Sequence, residues 1–310
     1  FLMASFAAIS QSNAKRVLAY STIANLGLIV TCGGIGTAEA VWAGIMLIIF
    51  HAVTKSLLFL CVGTAEHNIG SRDIEDMDGL FVRMPRLAAF MMIGIAGMFL
   101  APFGMLISKW AAMTAFVNSG NFILVGIICF GSAVTAFYWI KWMGKLSAIV
   151  ANEKNIQQNV HKEEWFVQGT LVGLTVAVCL VFPLISIYIL VPYLETVFGG
   201  ISAAIMSSDN MIIMCIMVAA IVVLTGFFFG KSKKKIVPIY LSGVNEGDNR
   251  TYYGSMGKDV KFTLRNWHME KYFGEKKMNL VGGILTTAML VIGIGMMVGT
   301  LISLLTGGAA

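Results

Sequence analysis

A histidine and a lysine, His51 and Lys55, lie four residues apart in the otherwise apolar stretch FHAVTKSLLFL at 50–60. Positions four apart share one face of a helix. A titratable imidazole and a titratable amine therefore stand one above the other. Two more lysines have comparable surroundings: Lys15 in QSNAKRVLAYST and Lys109 in APFGMLISKW. Ionisable groups at membrane depth are costly, and by default they mark ion or proton paths. Burial disfavours the charged form of an amine, and an imidazole titrates near neutral pH. Such groups, bridged by water, make a proton relay. The competing reading is a lysine neutralised by a carboxylate on another helix. Glu39 and Glu66 end the same apolar stretch, too far along it to pair with Lys55. Lys15, beside Arg16 at a helix start, also reads as a topology signal.

Other chemistries find little support. The five cysteines (Cys32, Cys61, Cys129, Cys179 and Cys215) lie in apolar runs without a CxxC pair. They read as small buried hydrophobes, not as iron–sulfur or zinc ligands. The Gly33-Gly34-Ile35-Gly36 run follows no strand and reads as a tight turn, not a nucleotide loop. His161 and His268 fall in polar stretches and read as solvated. No Ser/His/Asp arrangement or metal-spaced cluster occurs, so no metal and no cofactor are expected.

The elements that must position these groups are membrane helices. The 310 residues are 57% hydrophobic and only 12% charged, against about a quarter charged in soluble domains. Their mean hydropathy is +0.81. This predicts an all-α polytopic membrane protein in which the net charge of +6 marks loops, not nucleic acid. Predicted spans cover residues 17–36, 38–66, 87–116, 122–140, 165–194, 211–230 and 280–305. The apolar residues 1–10 are too few to span, since a helix needs about 20. They predict a start inside a helix of a longer protein. Residues 87–116 are too long for one upright span, and Pro102 and Gly104 interrupt them just before Lys109. Proline removes a donor and clashes with the preceding turn, so a discontinuous or strongly kinked helix is expected. Such breaks line ion paths in transporters.

Trp139, Lys141, Trp142 and Lys145 close the 122–140 span and read as an interfacial belt with snorkelling lysines. Loops 141–165 and 231–277 are basic, the latter with eleven Lys or Arg, and are expected on the cytoplasmic side. Loop 195–210 has no Lys or Arg and is expected outside. Gly295 and Gly299 form a close-packing motif for helices in lipid.

Three of these motifs, in series, carry a family resemblance. QSNAKRVLAYSTIANLGLI resembles the lysine-bearing helix start of the antiporter-like subunits of respiratory complex I. HAVTKSLLFL is similar to that family's central His-x-x-x-Lys helix, and APFGMLISKW to its broken helix with a terminal lysine. The resemblance covers about residues 1–145 and is closest to the largest, distal subunit. It implies an antiporter-like helix bundle, here most of a second inverted repeat plus C-terminal helices. It places Lys15, His51 and Lys55 on a central hydrophilic axis, with Lys109 as the terminal exchange lysine. The domains expected are a proton-conducting core at 1–145, additional helices at 146–230, a basic connector at 231–278 and a final helix at 279–310.

Two departures qualify the resemblance. Leu47 stands where the family often has a further histidine. The 48-residue connector reaches at most about 70 Å even if wholly helical, and its Pro238 and glycines oppose a continuous helix. The short connector favours the same module in a shorter assembly, such as an energy-converting membrane-bound hydrogenase. The resemblance implies proton or sodium translocation in a multi-pass subunit of the inner (cytoplasmic) membrane. Its partners would be other membrane subunits, a soluble redox arm and the lipid bilayer. Redox chemistry is expected on those partners. The alternatives are a subunit of an Mrp-type cation/proton antiporter and a non-conducting scaffold.

Overall fold

A computed structural model describes residues 1–100, 104–148, 155–199, 216, 244–245, 251–261 and 268–305. The predicted 211–230 span, Pro102 and most of the basic connector lie outside these residues.

The described chain is a bundle of long apolar helices. After α1 (Leu2–Ile9) come α2 (Ala14–Ile35) and α3 (Ala38–Ile69). Asn13 caps α2 by accepting from the Arg16 N–H at 3.3 Å, and Thr37 caps α3 by accepting from Ala40 N–H. Gly36 takes a left-handed φ of +69°, so the glycine run is a helix end and turn, as expected. A short 3-10 turn (Ile74–Met77) and α4 (Leu80–Arg83) lead to α5 (Pro85–Phe99), where Pro85 opens the helix. α6 (Gly104–Asn118) and α7 (Phe122–Ser147) follow. Then α8 (Lys162–Ile185), a π-helical segment (Ser186–Leu190) and α9 (Val191–Phe198) run on as one apolar length. The last elements are α10 (Glu270–Phe273) and α11 (Glu275–Leu305).

Among the described residues, six helices are long and apolar enough to cross a membrane: Ala14–Ile35, Ala38–Ile69, Pro85–Asn118, Phe122–Ser147, Lys162–Phe198 and Glu270–Leu305. The protein is thus a multi-pass helical membrane protein. The spans from α2 to α8 alternate in direction. One end of the bundle is fastened by hydrogen bonds from Ala14 N–H to Arg72 O, Gly79 N–H to Lys145 O and Ile156 N–H to Arg83 O. The start of α11 joins the same end through Arg16–Glu275. The opposite end is held by Asn118, which donates to Glu39. The described segments that enter α8 and α11 therefore gather at one end, called here the basic end.

The core lies along α3, which packs against α2, α5, α6 and α8. Because α8 packs directly on α3, residues 162–198 belong to the same bundle as the first 145. By contrast, α11 touches mainly α1 and buries none of its residues. The Gly295–Gly299 motif thus has no close partner among the described residues. The connector contains an antiparallel sheet in the order β1-β2-β3 (Val244–Asn245, Thr251–Tyr253, Asp259–Lys261), not a continuous helix.

Candidate functional site

The centre of α3 carries the site. Lys55 is only 5% exposed. Its ammonium donates to Leu18 O at 2.9 Å and to the Ser21 hydroxyl, both on α2. It also lies 5.1 Å from the Trp139 ring centroid on α7, within cation–π reach. Ser21 and Asn25, one turn apart on α2, are both buried, and Asn25 donates to Ser21 O at 2.8 Å. A polar strip on α2 therefore faces the lysine of α3.

His51 follows one turn away on α3. It is 7% exposed, and neither ring nitrogen has a hydrogen-bond partner among the described residues. It lies within electrostatic reach of both Lys55 and Lys109. Lys109 is itself 5% exposed. Among the described residues, no carboxylate stands within ion-pair distance of Lys55 or Lys109.

Lys109 owes its place to a broken helix. α5 ends at Phe99 and Leu100 turns extended (φ −98°, ψ 141°) before α6 starts at Gly104. The expected interruption is thus present, and Pro102 within it lies outside the described residues. A Cβ at Gly104 would run into the Phe50 ring of α3. Only glycine lets the start of α6 come this close to the residue preceding His51.

Lys15 is placed differently from the other three. It sits in the first turn of α2 at the basic end, 41% exposed, and pairs with Glu66 at 2.5 Å. Arg72 shares that carboxylate at 2.8 Å. Lys15 reaches the buried centre only by way of α2, whose Leu18 and Ser21 hold Lys55. The structure therefore brings His51, Lys55 and Lys109 together and leaves Lys15 at the rim.

Three expectations are corrected. Trp139 and Trp142 are fully buried, so they form no interfacial belt. Lys145 points inward and pairs with Glu75 at 2.9 Å and Asp78 at 3.8 Å. Lys141 donates to Ile9 O at 2.8 Å and meets His268 Nδ1 at 3.2 Å. His268, read as solvated, instead bridges Lys141 and Glu75, its Nε2 3.0 Å from the carboxylate. The physical reason is that α1, the 74–77 turn and the segment before α10 cover the end of α7. Lysines there find carboxylates instead of headgroups. Cys129 also departs from expectation, being exposed on α7, whereas Cys32 and Cys61 are buried.

Sequence reasoning missed Ser21, Asn25 and this Glu75–Lys145–His268–Lys141 chain. Polar residues at 21 and 25, one turn apart in an apolar span, were the available signal for the first two. The chain joins residues up to 193 positions apart, and local pattern carries no trace of it.

An apolar bundle with a broken helix and buried amines beside it is a multi-pass membrane architecture of the kind that lines ion paths. Residues 1–135 match the family model described as NADH:quinone oxidoreductase/Mrp antiporter, TM. The chain is 33% identical over 154 residues to a Na(+)/H(+) antiporter subunit of Alkalihalophilus pseudofirmus, covering 45% of this chain and 19% of that protein. It is 42% identical over 106 residues to a subunit of the F(420)H(2) dehydrogenase of Methanosarcina mazei, covering 33% and 16%. The chain thus spans under a fifth of the length of either relative. Among solved structures, it is similar to a chain of the membrane-bound sulfane sulfur reductase, an archaeal respiratory membrane complex. That likeness has a TM-score of 0.54 at 27% identity and covers 63% of this chain and 38% of the other.

Proposed function

We propose that this chain is an antiporter-like subunit that moves protons, or sodium ions, through the membrane for a redox-driven complex. The charge moves along Lys15, His51, Lys55 and Lys109. Other membrane subunits of the inner (cytoplasmic) membrane and a soluble arm carrying the electron transfer are its partners.

One observation carries the reading. Among the described residues, two buried lysines have no carboxylate partner, and the buried histidine within reach of both has no hydrogen bond. A structural lysine would have a counter-ion, because an uncompensated buried charge costs about 3–5 kcal/mol. An amine that takes up and releases a proton needs freedom from such a partner. Lys55 is held by a carbonyl and a hydroxyl. The hydroxyl can accept from the charged amine and donate to the neutral one, so Ser21 serves both states. The coupling is like-charge repulsion. A proton on Lys55 raises the cost of one on Lys109 and so favours its release. His51, with both nitrogens unpaired, passes the proton between them. The short connector and the likeness to an archaeal respiratory complex support a redox-driven assembly.

The match to a Na(+)/H(+) antiporter protein favours a second reading, an Mrp-type antiporter without a redox partner. The two are separated by purifying the intact assembly and identifying its subunits.

The test of the proposal is Lys55→Met in the assembled complex, reconstituted in liposomes. Turnover persists while coupled ion movement is lost. Unchanged coupling defeats the proposal, and full transport with Lys15, Lys55 and Lys109 all neutralised would establish the scaffold reading instead.

A further inference from the structure

The titratable chain at the basic end takes no part in the lysine row, yet it borders the surroundings of Lys55. His268 lines a polar cleft of about 790 Å³ at that end, together with Ser10, Gln11, Arg16 and Lys271. On its inner side, Glu75 lies 3.0 Å from Nε2 and the Lys141 amine 3.2 Å from Nδ1. The imidazole thus has a carboxylate at one nitrogen and an amine at the other. A ring so placed can take a proton on one side and release one on the other. Tyr138 stands three residues before Lys141, so the two are neighbours on α7. Tyr138 is 1% exposed. Its hydroxyl is within reach of Ser21 and Thr135, yet among the described residues it is in hydrogen-bond geometry with no partner. Ser21 in turn holds the Lys55 amine.

Buried tyrosine hydroxyls usually find a fixed partner. This one lacks it and sits between an amine and a serine hydroxyl, where a group that both accepts and donates can pass a proton on. We propose that Glu75, His268, Lys141 and Tyr138 form the proton entry from the basic end to Lys55. The route rests on the reading of Lys55 as a proton carrier. A proton taken up by Glu75 enters the ring at Nε2 as the Nδ1 proton leaves for neutral Lys141. The imidazole stays neutral and the amine becomes charged. Lys141 then gives its proton to the Tyr138 oxygen as Tyr138 passes its own to Ser21. Ser21 likewise hands one on to the neutral Lys55 amine, and both hydroxyls end unchanged. Lys145 pairs with Glu75 at 2.9 Å and keeps that carboxylate in place.

The test is coupled proton movement relative to redox turnover, measured on the assembled complex in liposomes beside its melting temperature. Tyr138→Phe removes a hydroxyl without a partner, so the melting temperature holds while coupled proton movement falls by about 100-fold, as for a lost proton-transfer group. His268→Ala falls likewise, and imidazole added to the buffer enters the cleft and restores part of the movement. Imidazole restores nothing in Lys55→Met. Wild-type coupling in Tyr138→Phe or in His268→Ala overturns the route. So does a loss in His268→Ala that imidazole leaves unchanged, since a bridge that only fastens the segment behaves that way. If His268→Ala does not assemble, Tyr138→Phe decides alone. Normal coupling in Lys55→Met defeats the lysine row itself, whereas lost coupling in Lys55→Met with normal coupling in Tyr138→Phe defeats this entry alone.

Discussion

Lys55, His51 and Lys109 show how single residues declare themselves. Charge inside an apolar run is expensive, so sequence alone singled them out. What sequence did not show is how they are held. Lys55 rests on Ser21 and Leu18 O, and nothing local joins position 21 to position 55. Ser21→Ala removes one acceptor from a buried ammonium. A hydrogen bond to a charged group is worth about 1.5–3 kcal/mol, so the melting temperature in detergent falls and ion movement slows, while redox turnover persists. Unchanged melting and transport would mean that the hydroxyl does not hold the amine. Lys15 teaches the converse. Its motif reads like the others, yet the fold gives it Glu66 and partial exposure. Lys15→Met should therefore disturb stability less than Lys55→Met, because exposed ion pairs contribute about 0–1 kcal/mol.

Among the elements, the broken α5–α6 length was legible because proline and glycine punctuate an apolar run too long to cross upright. The reason for Gly104 was not legible: it is the Phe50 ring of another helix. A larger residue at 104 pushes α6, and Lys109 with it, away from α3. Gly104→Leu should cost about 1–3 kcal/mol by overpacking and impair ion movement. Adding Phe50→Ala to Gly104→Leu should recover part of both. Thermal melts and transport of the single and double variants check this, and a double variant no better than Gly104→Leu alone would refute the contact. The end of α7 shows the limit of reading by type. Trp and Lys together spell a lipid interface in an isolated helix. Here tertiary cover overrides that pattern, and the same residues form a buried polar chain.

At the scale of the molecule, the hydropathy pattern laid out the long helices, whose direction alternates from α2 to α8. The closure of the basic end could not be read from it. That closure depends on Glu75, shared by Lys145 and His268, so the segment before α10 is tied to the loop after α3. Glu75→Gln leaves the buried Lys145 with only the more distant Asp78 carboxylate and should cost about 3 kcal/mol. Arg16→Ala, which breaks the exposed Arg16–Glu275 pair at the same end, should cost about 0–1 kcal/mol. Thermal melts of the two variants test the ranking, and an equal loss would show that the buried chain does not fasten this end.

The central claim is that Lys55 works by gaining and losing a proton, not by being a cation. Lys55→Arg separates the two, since a guanidinium keeps its charge at every accessible pH. The decisive measurement is coupled ion movement by the Lys55→Arg complex in liposomes, relative to its redox turnover. A drop of about 100-fold, the low end of what a positioned proton-transfer group contributes, is predicted. Wild-type coupling with arginine in place would contradict the proton-carrying role.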